Sequence, residues 1–305
     1  MRGRTGWPGL FVGALLVLVA ASPCLGGVLH LFDYTIDEFV VGEKRAELAV
    51  CYANGNKYSD KITAYTGSFM KKWFGGEKSS RETANVLLDQ DLIREIDYLK
   101  HRVVDYPLAK IVDPDWYDRH SPQEIPSAAQ TMIDARYEVK SPQFSLTISP
   151  ESVVVDNRPC VHVIATLRLE TLDKVKNASS VTLIRQAMWL TDQVTGIDEF
   201  KAFNRAMEER LGIDAARVGI FGNILSYWQG GLDSIETSLN SVSGYPVKKE
   251  VSVTAVYTAG VGTDDAKRTE ASISKISVNL REVVVNSPGL ERFDSPKAFK
   301  LVTVR

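Results

Sequence analysis

The chain has 305 residues, 44% hydrophobic and 24% charged, with 36 Lys and Arg against 38 Asp and Glu. That is enough apolar material for a sizeable core in one or two domains, and it excludes a disordered, collagen-like or low-complexity chain. A formal charge of -2 gives no footing for nucleic-acid binding. Three cysteines exclude a disulfide-built miniprotein and a zinc site of four thiolates.

Residues 1–26 carry the strongest functional signal. Arg2 and Arg4 precede an apolar run centred on Leu10–Ala21, and Ser22-Pro23-Cys24-Leu25-Gly26 then brings small and helix-breaking residues. A basic end, a short apolar helix and a small-residue exit make a secretory signal peptide. The apolar centre is short for a bilayer span of about 20 residues, and no later run is long enough to make one. The mature chain is therefore expected to be exported, periplasmic or secreted, with no membrane span. It retains Cys51 and Cys160, which either close a loop of about 110 residues, contributing roughly 4–5 kcal/mol, or stay as two buried thiols. Asn177-Ala178-Ser179 is a glycosylation sequon, meaningful in a eukaryotic secretory pathway.

Along the mature chain, Ala46–Tyr52 reads as a strand closed by an Asn54-Gly55-Asn56 turn. Ser79-Ser80-Arg81-Glu82 matches a capping box, and Leu88, Leu92, Ile96, Leu99 and Val103 follow at helical spacing, so a helix is expected up to Pro107. Residues 107–126 hold four prolines and three aspartates and mark the best domain boundary. It separates a mixed α/β region over 27–112 from a C-terminal α+β domain over 113–305. A short helix is expected around Ala128–Ala135. Phe144, Leu146 and Ile148, and then Val161 to Leu169 after an Asp156-Asn157 turn, alternate as an antiparallel pair.

A central helical block is expected over residues 179–243, in three parts: Ser179–Gln193, a helix burying Phe200, Phe203, Met207 and Leu211, and a long stripe from Phe221 to Val242. Strands return from Glu250, with Ala259–Asp265 as a hairpin connection. The expected class is α+β, antiparallel strands with a segregated helical block.

Chemistry is sparse. Asp113, Asp115, Asp118 and His120 concentrate oxygen and imidazole ligands in eight residues. Their spacing matches neither an EF-hand nor a zincin, and Asp serves turns equally well. Cys160 and His162 share a strand face, where neighbouring side chains run parallel without meeting end to end. No dinucleotide fingerprint, phosphate loop or nucleophile elbow is present, so no cofactor is implied. The reading that follows is an exported protein with a non-enzymatic binding or structural role, its partner an unidentified protein or envelope component. The alternative is a secreted hydrolase with its metal or acid/base groups in residues 113–124.

Overall fold

The computed structural model describes residues 27–39, 42–65, 79–109, 136–211, 242–285 and 290–304. The leader, the Asp/His segment around 113–124, the short helix at 128–135 and nearly all of the third expected helix lie outside these residues.

Hairpin chemistry builds the first half. β1 (Val28–Glu38) pairs antiparallel with β2 (Gly42–Ala53), and Asn54 and Gly55, at φ 53° and 74°, turn the chain into β3 (Asn56–Tyr65). Two successive positive φ values make the turn whose twist matches that of its strands. β4 (Ser79–Leu87), β5 (Leu92–Asp97) and β6 (Arg102–Pro107) then add in order.

These three strands stand where a helix was expected. Leu99, a member of the apparent helical stripe, is 88% exposed at the tip of the β5–β6 turn. That turn is held by the Asp97 carboxylate, which accepts from the Leu99 and Lys100 amides, and by His101 at φ 50°. β4 does alternate, but its inward set is Thr83, Asn85 and Leu87. Two buried polar residues hide the two-residue period, while short strands and short turns imitate a spacing of four.

In the second half, β7 (Tyr137–Val139) and β8 (Gln143–Val155) both flank β9 (Arg158–Asp173), which is followed by β10 (Ala178–Thr191) and α1 (Ile197–Leu211). β11 (Tyr245–Ala259) and β12 (Lys267–Val285) form the next hairpin, and β13 (Lys300–Thr303) returns parallel to β6. The β8–β9 alternation stands as read: Phe144, Leu146 and Ile148 face Leu167, Ala165 and Val163 across an Asp156-Asn157 turn. So does the α1 stripe, with Phe203 and Met207 buried.

The α+β class with a helical block over 179–243 is overturned. Ala178–Thr191 is a strand, and α1 is the one α-helix among the described residues. β10 lies between β9 and β11 and is buried along most of its length, so it shows no polar alternate face that could separate strand from helix. Its Val181, Thr182 and Ile184 are β-branched, which favours the extended chain.

All described strands join one sheet in the order β13-β6-β5-β4-β3-β2-β1-β12-β11-β10-β9, with β7 and β8 beyond β9. Strands from both sides of the 107–126 segment therefore share a single sheet. One face carries α1 and a core of Phe32, Val50, Tyr52, Val247, Val278 and Leu280, continued by Val163, Leu167, Ile184 and Met188. The other face buries a smaller cluster, Leu29, Ala49, Cys51, Tyr58 and Leu87, beneath Phe293 of the C-terminal segment.

An ion network fastens that segment. The fully buried Asp60 accepts from Arg81 Nε at 2.8 Å, Arg292 Nε at 2.7 Å and the Thr83 hydroxyl. Arg292 and Arg281 both reach Glu47, and Arg281 also reaches Asp33. Arg81 and Asn85 donate to the carbonyls of Arg292 and Phe293, so side chain and backbone are held together. Asp60→Ala should cost about 3 kcal/mol in urea unfolding, because two guanidiniums lose a buried partner. Asp33→Ala, at the exposed end, should cost under about 1 kcal/mol.

Candidate functional site

The α1 face holds the chemistry worth weighing, beginning with His30 on β1. His30 is fully buried. Its Nε2 lies 3.1 Å from the Thr195 carbonyl, which can only accept, so Nε2 carries the proton. Nδ1 must then accept from the Tyr245 hydroxyl at 2.6 Å. Burial lowers the His30 pKa and raises that of Tyr245, so both groups are neutral and the pair has one arrangement. Tyr52 packs edge-on to His30, and Phe200 of α1 packs edge-on to both Tyr52 and Tyr245. This is a pin holding the approach to α1 against β1 and β11. Gly196 completes it: at φ +82° it lies so close to Val28 that a Cβ would come within 2.4 Å of that side chain.

Two lysines share the same face. Register makes Val28, Tyr52, Lys57, Val86, Ile93 and Tyr106 one cross-strand row. Lys249 lies in the row of Val278 and Tyr34. On a flat sheet the two would be four strands and six residues apart, about 28 Å. Yet the Lys57 charge helps to lower the pKa of Lys249, which burial is first to push down, to about 8. The curvature shows directly in the rings: Phe200 lies 5.6 Å from Tyr52 on β2 and 4.9 Å from Tyr245 at the start of β11, three strand spacings away, so the sheet inclines towards α1. Lys57 keeps part of its surface open, but its ammonium is deep enough for desolvation to lower its pKa as well.

Beyond the C-terminal end of α1 the curl leaves a pocket of about 550 Å³. Pro107, Leu108, Ala109 and Leu211 line it together with an Asp91–Arg210 ion pair. A second, smaller pocket of about 250 Å³ lies on the opposite face between Tyr58, Arg94 and Phe293.

The residues singled out from sequence are scattered. Asp113, Asp115, Asp118 and His120 fall outside the described residues. Cys160 is a free, buried thiol whose Sγ donates to the Arg158 carbonyl, so it forms no bridge with Cys51. Cys51 is itself fully buried, on β2 under the C-terminal segment. His162 meets Trp189 instead of Cys160: the rings stack at 4.6 Å, and the Lys248 ammonium lies 4.4 Å from the Trp189 ring centre. Burial raises the Cys160 pKa, which keeps the thiol inert. Asn177 is exposed in the β9–β10 turn at φ 47°, where its side-chain amide donates to the Val261 carbonyl.

Among the described residues no three His, Cys, Asp or Glu side chains are placed to hold a metal ion. No helix among them is long and apolar enough to cross a membrane. No protein-family model matches the chain, and no curated protein matches it. His30, Lys57 and Lys249 escaped the sequence reading because their meaning depends on register. His30 and Lys249 each interrupt an otherwise apolar alternation, whereas Lys57 stands on a polar one with Ser59, Lys61 and Thr63 and carries no such signal.

The His30 pin makes stability depend on pH. Unfolded histidine titrates near 6.5 and folded His30 below it, so the unfolded state takes up the proton first as pH falls. Stability is therefore lost as pH drops through about 6.5 towards the folded pKa. His162, also lowered, adds to this fall. The urea midpoint should decrease between about pH 7.5 and about pH 5.5, and His30→Gln should flatten part of that decrease.

Proposed function

We propose that this chain is an exported protein with a non-enzymatic binding role in the cell envelope or extracellular space, and that it binds its ligand on the curled, α1-bearing face. The pocket beyond α1 carries this reading. Its volume is in the range of small-molecule sites, and its lining joins the apolar Pro107, Leu108, Ala109 and Leu211 to an Asp91–Arg210 ion pair that can orient a guest. The imidazole and hydroxyl nearest the core are committed to the His30–Tyr245 pin, which supports a scaffold role for them over acid–base work.

Leu211→Trp tests the reading by filling the pocket from the last residue of α1. The fluorescence gain of anilinonaphthalene sulfonate on the native protein should fall about fivefold, with the urea midpoint little changed. An unchanged dye signal in a folded variant would contradict a pocket-based role.

A further inference from the structure

The sheet ends differently on its two sides. On one side β13 is four residues long and begins with Lys300, so it offers little backbone to another strand. On the other side β8 runs for 13 residues along β9, and among the described residues no strand lies along its second edge. Pro150 and the register shift interrupt that edge only beyond Ile148. The stretch before them, Gln143-Phe144-Ser145-Leu146-Thr147-Ile148, pairs with β9 in unbroken register and holds no charge. Edge strands are ordinarily guarded by charge, by proline or by brevity. Gln143–Ile148 has no such guard.

Its sequence is matched to a copy of itself. In an antiparallel pair related by a two-fold axis at Leu146, Phe144 stands opposite Ile148 of the second copy, Leu146 opposite Leu146, and Ser145 opposite Thr147. Aromatic with β-branched and hydroxyl with hydroxyl are favourable cross-strand pairs, and no like charges meet. Phe144, Leu146 and Ile148 form the inward row, opposite Leu167, Ala165 and Val163. Phe144 and Leu146 pack on that core, but Ile148, in the same row, is 39% exposed. The pairing sets Phe144 of the second copy beside it.

We propose that β8 pairs antiparallel with β8 of a second copy of this chain, about Leu146, so that two sheets become one. The two-fold axis then stands perpendicular to the sheet, and the α1-bearing faces of both copies lie on the same side. The paired strip is about 20 Å long, at about 3.3 Å per residue, which is small for a protein interface. The dimer is therefore reversible, with a dissociation constant on the order of 10–100 µM.

Sedimentation velocity of the full chain from about 1 µM to about 500 µM tests this with two charged variants. Ser145 and Thr147 are exposed on the outward row, and their β9 neighbours Thr166 and Ile164 carry no charge. S145K/T147K sets lysine against lysine across the axis, and S145E/T147E sets glutamate against glutamate. Wild type should dimerise, and each variant alone should have its dissociation constant raised at least about tenfold. An equimolar mixture of the two variants should recover a heterodimer at least as tight as the wild-type dimer, with urea midpoints showing that both variants fold. A wild-type chain that stays monomeric throughout would overturn the proposal. So would variants that dimerise as wild type does, which places the contact elsewhere, or a mixture that fails to recover the dimer, which denies the antiparallel register.

Discussion

Phe200 of α1 touches Tyr52 on β2 and Tyr245 at the start of β11, while Leu211, eleven residues later, borders a pocket against the residues after β6. A helix advances 1.5 Å per residue, so about 16 Å of α1 connects strands from distant parts of the sheet. At its start one ring, Phe200, meets tyrosines of strands three spacings apart, which draws the sheet around the helix. Burial of the α1 stripe supplies the driving force, and the His30 pin sets where the helix begins. The apolar inner face and the position of the pocket follow from that wrapping.

The outer face is organised on a different principle. Its buried cluster is small, and much of the attachment of the C-terminal segment comes from charge, with Asp60 and Glu47 each shared between two arginines. Buried ion pairs are poor sources of net stability but are intolerant of a lost partner, so they fix position more than they add strength. At the far edge β8 follows another common device. Pro150 and a register shift between Ile148 and Ser152 interrupt the backbone groups it offers to other strands.

Local rules made some of this legible from sequence. Asn54-Gly55 and Asp156-Asn157 dictate tight turns through backbone conformation alone, and α1 has both a clean stripe and a glycine after it. The α+β assignment failed where local pattern was ambiguous. In β10 buried and exposed positions do not alternate regularly, with Gln186, Ala187 and Met188 buried in succession, so a period of two could not be detected. In β4 the inward positions are Thr83 and Asn85, whose burial is explained only by Asp60 and the Phe293 carbonyl, far away in sequence. The candidate site was less legible still. Lys57 looks like any strand lysine until three registers place it among Tyr52, Val86 and Ile93.

The wrapping of the sheet around α1 is the claim on which the account turns, and ring-to-ring nuclear Overhauser effects in the native protein test it most directly. Phe200 ring protons should show cross-peaks to both Tyr52 and Tyr245, whose rings are centred 5.6 Å and 4.9 Å away. Cross-peaks to one tyrosine alone, or to neither, in a folded sample would contradict the wrapped arrangement.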